Sequence, residues 1–588
     1  MIRRIYSSLA SFKEVEFTHG NGLNLLMVDK GPGATDLQTR NRAGKSSLIE
    51  IIHFLLGSNC DRDSIFRSKS LVEFSFGMEF DLGDTSVTVE RSGSEPNQIH
   101  IRTDNYNGWP ILPKGKEDQI ISNTNWRSVL GTIIFSLKAE DDPNLRMKYA
   151  PTFRSLFSYF ARRDADGAFS TPMTQSSKQQ LYDQQVALSY LIGLDWTIGQ
   201  QWQMIRDREA ALKELKKIAG DGFFGESFGT VASLRTELSV AESKINRMAK
   251  EIAELKVLPQ YHELESEASN LNQKIAKLSD ENIIDHGLIS SMKESLEQEM
   301  PPAIDDLNRI YNEAGLVFPD RIIQHFEDLR KFHESVLENR KSYLSSEIEK
   351  ANRRVNEREQ LKQVFSAKWS EIMSILRSHG ALDQYSRMQS MLSKLEAETE
   401  VLRQRFLAAE QLESKKTELD IERSNLLVRL RQDYQERKSI LSDAIISFQE
   451  ISSSLYEGAA AGKLTISDSK NGPQFEVIIQ GQKSKGIKNM QVFCFDMMLI
   501  KICTERGLSP GFLIHDSHIF DGVDERQIAK ALEIGANLSK KLDFQYIVTM
   551  NSDDIPEELP DGFDLRECIL PVRLTDATED GGLFGKRF

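Results

Sequence analysis

The middle of the chain is dominated by a regular spacing of apolar residues. Between residues 234 and 255 the spacing alternates between four and three residues, which is the pattern of a coiled-coil seam. A seam of this kind continues after residue 259 and occurs again near residue 400. The three runs are Leu234, Leu238, Ala241, Ile245, Met248, Ile252 and Leu255; Leu264, Ala268, Leu271, Ile275 and Leu278; and Met388, Leu392, Leu395, Thr399, Leu402, Phe406 and Ala409.

Helix-breaking residues divide this helical region into two legs. Pro259 interrupts the first seam, because proline lacks a helical donor and clashes with the preceding turn. We predict an outgoing leg over 200–300, a turn region over 301–320 and a returning leg over 321–455. The breakers of the turn region are Pro301, Pro302, Gly315 and Pro319.

Two legs around a breaker region predict an antiparallel coiled-coil hairpin. About 100 residues per leg, at a rise of about 1.5 Å per residue, give an arm of roughly 150 Å. A compact helical bundle with the same seams is the alternative. The heavily charged positions outside the seams favour the extended arm.

Both ends of the chain instead alternate short apolar runs with turns, which predicts two α/β pieces, 1–199 and 456–588. Residues 92–125 are rich in Gly, Pro and Asn and are predicted to be loops. The predicted strands are Glu14–Phe17, Leu23–Val28, Leu71–Phe80, Thr85–Arg91, Lys463–Ile466, Phe475–Ile479, Gly511–His515 and Gln545–Met550. The predicted helices are Ser46–Leu56, Ile487–Thr504 and Ile528–Lys541.

Composition narrows the classes of function. The chain has 588 residues and a formal net charge of −14, so any contact with nucleic acid needs a local basic patch or a partner subunit. The four cysteines form no CxxC pair, which disfavours structural zinc and a disulfide framework and favours reduced, buried thiols. The N-terminus lacks a signal-peptide pattern, and no apolar stretch reaches the length of a membrane span. We therefore expect a cytoplasmic protein.

A phosphate-binding loop is predicted between the strand at residues 23–28 and the helix that follows it. The order strand, loop, GKSS and apolar helix is the setting that such a loop requires, although Thr39 replaces its first glycine. Backbone N–H groups from Ala43 to Ser46 would surround the phosphates of ATP at the helix N-terminus. Lys45 would reach the β- and γ-phosphates, and the Ser46 hydroxyl would bind Mg²⁺.

The segment TRNRAGKSSLIE resembles the NGxGKSS loop of the SMC, RecF, RecN and SbcC type of ATPase. Arg42 stands at the position of the family's usual glycine. The resemblance implies an ABC-type ATPase head assembled from the N- and C-terminal segments, with a coiled-coil arm between them. The residues that match the loop are Asn41, Gly44, Lys45, Ser46 and Ser47.

The same resemblance implies a second half of the site near the C-terminus. Ser484 and Gly486, at the start of an apolar helix, resemble the signature motif, which binds the γ-phosphate of ATP held by the opposite head. GFLIHD resembles a Walker B strand, whose Asp516 would hold Mg²⁺ through water. Ser517 stands where the family has a catalytic glutamate, so slow hydrolysis is expected. His518 is the candidate base, and packing of a loop is its alternative role.

Several further residues have two interpretations each. Asp521 and Asp524 either belong to a loop that signals between heads or cap the next helix. Asn551 is the candidate for the family's switch histidine. Arg162 and Arg163 either contact phosphate of nucleotide or DNA, or lie on a solvated helix end.

The combination of TRNRAGKSS, FCFDMML and FLIHDSHIFDGVDERQ is similar to SMC-like ATPases of bacterial multi-component defence systems, with Lamassu-type systems the nearest. That similarity implies a homodimer whose heads hold two ATP molecules between them and which grips double-stranded DNA without sequence preference. It also implies a sensor of DNA ends or unusual DNA structures that acts with an accessory subunit and holds in check a separate effector, expected to be a nuclease. A DNA-repair ATPase of the RecN or SbcC type and a structural coiled-coil protein remain the alternatives.

Overall fold

The computed structural model describes most of the chain, and the described residues divide into two units. One unit contains Met1–Ile205 and Arg423–Phe588, and the other contains Arg206–Ile304 and Phe326–Glu422. The predicted turn region at 301–320 lies outside the described residues. The described residues are 1–18, 20–29, 44–114, 119–138, 147–218, 230–254, 259–298, 322–376, 382–456, 462–479, 484–578 and 580–586.

Helices and strands alternate at both ends of the chain, and long helices occupy the middle. The N-terminal part contains β1 (Ile2–Ser7), β2 (Val15–Glu16), β3 (Gly22–Asp29), α1 (Lys45–Leu55), β4 (Ser75–Leu82), β5 (Thr85–Ser92), β6 (Gln98–Arg102), β7 (Gln119–Ser122), α2 (Asn123–Phe135), α3 (Phe153–Phe157), α4 (Leu181–Ile192) and α5 (Trp196–Ile218). The middle contains α6 (Val231–Glu254), α7 (Pro259–Gln298), α8 (Ile322–Leu376) and α9 (Leu382–Glu436). The C-terminal part contains α10 (Lys438–Leu455), β8 (Lys463–Ser469), β9 (Gly472–Ile478), α11 (Lys485–Glu505), β10 (Phe512–His515), α12 (Glu525–Leu542), β11 (Gln545–Asn551) and β12 (Ile569–Thr575).

A parallel sheet of four strands draws on both ends of the chain. Its order is β10-β11-β3-β12, so β3 from the N-terminal part lies between two strands from the C-terminal part. The strands β3, β10 and β11 are almost wholly buried, as expected for a parallel sheet that is covered on both faces, whereas β12 at the edge is partly exposed. Every residue from Leu23 to Val28 is buried, including the polar Asn24. In this parallel sheet the carboxyl ends of β3, β10 and β11 therefore lie at the same edge.

A second sheet of six antiparallel strands, in the order β2-β1-β4-β5-β6-β7, uses only the N-terminal part. The prediction that residues 92–125 form loops is wrong, because β6, β7 and the start of α2 lie there. Ile99, Ile101 and Ile121 are buried in this sheet and are worth about 1.5–3 kcal/mol each. Their alternation with polar residues was the available signal, and the surrounding Gly, Pro and Asn residues obscured it.

The unit formed by Arg206–Ile304 and Phe326–Glu422 is helical. The helices α7 and α8 pack in antiparallel directions. Ala268 and Leu271 of α7 pack with Ile372 near the end of α8. Ile289 of α7 packs with Val355, an earlier residue of α8. Later residues of α7 therefore meet earlier residues of α8. This is the pairing that the seams predict for an antiparallel hairpin. Pro259 is the first residue of α7, where its missing N–H would have no helical partner in any case.

Three helical segments meet at one point of this unit. The packing of Ala268 and Leu271 against the end of α8 is accompanied by a hydrogen bond from Asn272 of α7 to Ser393 of α9, with a length of 3.1 Å. α7 therefore contacts both α8 and α9 on either side of the break between them. The seams in the sequence do not indicate this three-way contact.

Residues 423–455, which the sequence assigned to the returning leg, belong to the unit that contains both ends of the chain. The reason is the burial of α10: Ala444, Phe448 and Leu455 pack in the large apolar core of that unit. All four cysteines are buried, and none of them is part of a disulfide. Among the described residues, no helix is both long and apolar enough to cross a bilayer.

Candidate functional site

The helix that follows the predicted phosphate loop begins at the predicted place. Gly44 adopts a left-handed φ of 87° immediately before α1, a conformation that favours glycine. Lys45 and Ser46 form the first turn of α1, with Ser47 next to them, and Leu48 begins the buried face of the helix. Asn41, Arg42 and Ala43, which the sequence also assigned to the nucleotide, lie outside the described residues.

Four side chains from three segments converge at the carboxyl ends of the parallel strands. The Lys45 Nζ donates to Oδ1 of Asn551 at 2.6 Å, and the Ser46 hydroxyl donates to Oδ2 of Asp516 at 2.7 Å. Asp516 directly follows β10, and Asn551 ends β11. Ligands of open α/β sheets bind at this edge, where the strands end and helix N-termini begin. The arrangement is suited to a polyanionic ligand.

Asp516 is held rigidly. Its side chain is buried, and besides Ser46 it accepts hydrogen bonds from Thr549 at 3.0 Å and from Ser517 at 3.3 Å. The Ser517 hydroxyl is thus directed to Asp516, so the residue after Asp516 provides a hydroxyl and no carboxylate. A hydroxyl and a carboxylate oxygen 2.7 Å apart are the donor types that Mg²⁺ prefers, so Ser46 and Asp516 fit that ion.

Asn551 connects the lysine to an acidic residue that the sequence did not single out. While its Oδ1 accepts from Lys45, its Nδ2 donates to Asp554 at 2.6 Å. Asp554 therefore fixes the orientation of the Asn551 amide. The DD pair three residues beyond β11 was the signal in the sequence.

His518 lies close to two carboxylates from different parts of the chain. Its Nε2 is 3.3 Å from Asp164, and its Nδ1 is 3.1 Å from Asp521. The ring of Phe169 lies against it, with ring centroids 5.5 Å apart. The side chain of His518 is 31% exposed, so water reaches it. Asp164, which follows the predicted Arg162–Arg163 pair, is a further site residue that the sequence did not reveal.

The residues that resemble a signature motif lie at the N-terminus of α11. Ser484 is the residue before the helix, and its side chain makes no capping hydrogen bond. Gly486 lies so close to the loop after His518 that a Cβ atom there would be 2.1 Å from the carbonyl oxygen of Gly522. Asn489 donates to the carbonyls of His518 and Asp521, at 3.0 and 3.1 Å. The start of α11 and this loop are therefore in direct contact.

Asp521 and Asp524 have different roles. Asp524 caps α12 by accepting a hydrogen bond from the backbone N–H of Arg526 at 3.0 Å, which agrees with the capping interpretation. Asp521 faces His518 on one side and the Lys485 ammonium, at 3.0 Å, on the other. Only Asp521 is part of the site.

The interpretation of Arg162 as a phosphate contact is wrong. Its side chain is fully buried and forms two parallel 2.7 Å hydrogen bonds to Asp496 of α11. Asp496 also lies 3.2 Å from Nε2 of His515, whose Nδ1 contacts Tyr546. Burial lowers the pKa of His515 below its usual range, so the ring is neutral. The network joins α11 to β10, the strand that directly precedes Asp516.

Arg163, by contrast, is partly exposed. It pairs with Glu50 of α1 at 3.0 Å and with Asp166 at 2.9 Å. Neither carboxylate is fully buried. The phosphate-binding interpretation of Arg163 therefore stays a prediction.

Two family models match separate parts of the chain. One, described as an uncharacterised protein conserved in bacteria (DUF2326), matches residues 451–588. The other, described as C-terminal domain 10 of the ABC-three component (ABC-3C) systems, matches residues 288–413. The first includes α11, β10 and β11, which carry half of the candidate site.

Similarity to individual proteins extends over nearly the whole chain at low identity. The uncharacterized protein YydD of Bacillus subtilis (strain 168) is 20% identical over 619 residues, covering 99% of this chain and 98% of that protein. The Smc head domain of Pyrococcus yayanosii with a coiled coil and joint has a TM-score of 0.36 at 13% identity, covering 99% of this chain and 96% of that chain. The Smc head domain of Pyrococcus furiosus with an extended coiled coil, bound to the C-terminal domain of ScpA, has a TM-score of 0.34 at 11% identity, covering 94% and 90%.

Proposed function

We propose that this chain is an SMC-like ATPase that binds and slowly hydrolyses ATP as a clamp subunit of a bacterial multi-component defence complex. The observation that carries the ATP-binding part is the convergence of Lys45, Ser46, Asp516 and Asn551 at one edge of the parallel sheet. These four residues come from segments about 500 residues apart in the sequence, and they provide a cation, a hydroxyl, a carboxylate and an amide.

Each of these groups has a role when ATP is bound. The Lys45 ammonium binds the β- and γ-phosphate oxygens in place of the Asn551 Oδ1. The Asn551 amide is then released from Lys45 and faces the γ-phosphate. Ser46 and Asp516 would hold Mg²⁺, and the ion would supply positive charge that neutralises the phosphates. The backbone N–H groups at the start of α1 add the positive end of the helix.

A second copy of the chain completes the site. Ser484 makes no capping hydrogen bond, so its hydroxyl is available to the γ-phosphate of ATP held by the opposite head. Because Gly486 has no side chain, the start of α11 packs against the loop that carries His518. The contact of Ser484 with the nucleotide of the opposite head would therefore lie next to His518, the residue proposed as base. ATP-driven dimerisation of this kind shifts the population towards closed heads.

Hydrolysis is expected to be slow. The position of the family's catalytic glutamate is occupied by Ser517, whose hydroxyl is bonded to Asp516. His518 is the remaining group with ring nitrogens that can accept a proton from water. The chain is therefore better suited to an ATP-gated switch than to a fast motor.

The defence assignment rests on the multi-component family model over residues 288–413 and on the similarity of the phosphate-loop and Walker B segments to Lamassu-type ATPases. We propose that the heads and helices grip double-stranded DNA through its phosphates and that an accessory subunit and an effector, a nuclease, bind the same chain. With a net charge of −14, the chain needs local basic patches or its partners for that contact.

The test is the affinity for ATP of the Lys45→Ala variant of the full chain, measured by calorimetry with Mg²⁺ present. We expect a loss of at least about tenfold, since one charge-assisted contact to phosphate is worth about 1.5–3 kcal/mol. Lys463→Ala, at an exposed lysine of the separate β8–β9 sheet, is the matched control and keeps wild-type affinity. Unchanged affinity in Lys45→Ala would refute ATP binding at this site and with it the clamp.

Co-purification separates defence from DNA repair. Recovery of the chain with a small accessory subunit and an effector encoded beside it supports the defence complex. Recovery as a homodimer without partners, together with rescue of cells sensitive to DNA damage, supports a repair ATPase of the RecN or SbcC type instead.

A further inference from the structure

A short segment that follows β12 lies against the glycine at the start of α1. We call residues 581–586 of this segment the strap, and its Leu583 is completely buried. A side chain at Gly44 would place its Cβ atom 3.0 Å from the Cβ of Leu583 and 3.3 Å from the Leu583 backbone nitrogen. Leu583 therefore fills the space on the side of Gly44 where another residue would carry a side chain.

The strap is held by the loop between β1 and β2. The backbone N–H of Lys13 donates to the carbonyl of Leu583 at 2.9 Å, and its ammonium donates to the carbonyl of Gly581 at 2.8 Å. The Ser11 hydroxyl donates to the carbonyl of Phe584 at 2.8 Å. Three carbonyls of the strap are thus satisfied by this loop, so the backbone on both sides of Leu583 is fixed.

Apolar packing adds to these hydrogen bonds. Phe584 is buried, and its ring centroid lies 6.1 Å from that of Phe12 and 5.9 Å from that of Phe76. A Cβ atom at Gly585 would overlap the carbonyl oxygen of Ser11, so the strap and the loop are also in close contact beyond Phe584. The strap is therefore docked on both sides of its buried leucine.

Gly44 is the residue at which the predicted phosphate-binding loop passes into α1. Its φ of 87° is a left-handed conformation, and glycine has more backbone conformations available to it than any other residue. In the proposed ATP complex, the N–H groups of Gly44 and of the next two residues face the phosphates. A fixed neighbour at Gly44 lowers the conformational entropy that ATP binding has to remove from this turn.

We propose that Leu583 is a positioning residue for ATP, which holds Gly44 in the conformation that binds phosphate. Leu583 acts through Gly44 and touches no reacting atom. Its loss therefore changes the affinity for ATP and leaves Lys45, Ser46 and Asp516 in place. This inference rests on the proposed function, and it makes ATP binding dependent on a strap from the C-terminal part of the chain.

The test is the Kd for ATP of the Leu583→Ala variant of the full chain, measured by calorimetry with Mg²⁺, together with KM and kcat for hydrolysis. We expect Kd and KM to rise about three- to tenfold, because a loosened Gly44 has to be ordered when ATP binds. We expect kcat to stay within about twofold of wild type, since the reacting groups are unchanged. Leu583→Met, which refills most of the space, should restore the wild-type Kd.

Phe584→Leu is the matched control. Phe584 is buried in the same strap but packs on Phe12 and Phe76, whereas the three atoms nearest to a Cβ at Gly44 all belong to Leu583. Phe584→Leu should keep the wild-type Kd. An unchanged Kd in Leu583→Ala, or an equal rise in Phe584→Leu, overturns the proposal. If Leu583→Ala does not fold, Leu583→Val takes its place, with a rise of about twofold expected and the same outcomes decisive.

The Lys45→Ala variant separates this inference from the proposed function. If Lys45→Ala binds ATP as tightly as wild type, ATP does not bind at this site and the proposed function fails. If Lys45→Ala loses affinity and Leu583→Ala does not, only the positioning role of Leu583 fails.

Discussion

The two units of the chain each contain a carboxylate that is paired with arginine, and the two ion pairs differ in how far they are buried. In the unit that contains both ends of the chain, Arg162 and Asp496 are completely buried. In the helical unit, Asp285 of α7 is nearly buried, but its partners Arg354 and Arg358 of α8 are 41% and 20% exposed. The pair of Arg162 and Asp496 has no access to water, whereas the arginines that pair with Asp285 remain partly hydrated.

The energetic consequence follows from desolvation. Two fully buried charges lose their hydration and regain it only through each other and through further hydrogen bonds, so removal of one partner is costly. Arginines that remain partly hydrated lose less when their partner is removed. We therefore expect the same type of substitution to have clearly different effects in the two units.

The largest effect is expected for Arg162→Met. It leaves the Asp496 carboxylate buried with only His515 beside it and removes three hydrogen bonds to the loop of Phe169. We predict a loss of about 3–5 kcal/mol in the free energy of unfolding of this unit, measured in urea. The double variant Arg162→Met with Asp496→Leu should recover part of that loss, because it leaves no unpaired buried charge. A single variant as stable as wild type would show that the pair is not buried.

A smaller effect is expected for Asp285→Asn. Hydrogen bonds from Arg354 and Arg358 lower the pKa of Asp285 to about 2. We predict a loss of about 1–2 kcal/mol at pH 7, since the pair is only partly shielded from water. Thermal unfolding of the helical unit, followed by circular dichroism, measures it.

The stability that Asp285 contributes depends on pH, because its pKa is lower in the folded than in the unfolded chain. The unfolded carboxyl has a pKa of about 3.9, so the contribution of Asp285 is fully present above about pH 4. It is lost as the pH falls towards the folded value of about 2. The stability difference between wild type and Asp285→Asn should therefore shrink between pH 4 and pH 2, in the range given by these two values. A difference that does not change over this range would contradict the assigned ion pair.

The smallest effect is expected for Glu242→Gln in the helical unit. Glu242 pairs with Arg403 across α6 and α9 at 2.7 Å, but both side chains are more than 40% exposed. Pairs of this kind contribute about 0.2–1 kcal/mol and are screened by salt. We predict a loss below about 1 kcal/mol that disappears in 1 M NaCl, measured by the same thermal unfolding. A loss as large as that of Asp285→Asn would show that the stability contributed by these ion pairs does not depend on their burial.

The sequence predicted those features that depend on neighbours along the chain. An apolar strand, GKSS and an apolar helix are a local pattern, so the start of α1 at Lys45 was predicted within one residue. GFLIHD likewise gave β10 and the position of Asp516. The seams indicated which faces of the helices are buried, and the breaker region between the two legs predicted their antiparallel pairing.

The features that the sequence did not reveal depend on partners far away in it. Arg162 and Asp496 are 334 residues apart, and an arginine beside a turn has the same local pattern whether it is buried or solvated. Asp164 became a site residue only because its loop meets His518. The burial of α10 in the core was also hidden, since its apolar face resembles one more stretch of coiled-coil seam.

The position of β3 between β11 and β12 has a consequence for the synthesis of the protein. Both neighbours of this strand lie at the other end of the chain. The ribosome therefore adds roughly 480 residues after β3 before it makes β10, the next strand of the four-stranded sheet. At about 5–20 residues per second, this takes roughly 25–100 s. Throughout that time the nascent chain carries an apolar strand with two unpaired edges, which is a template for aggregation. Ribosome-associated chaperones are therefore expected to matter more for this unit than for a domain whose sheet is continuous in sequence.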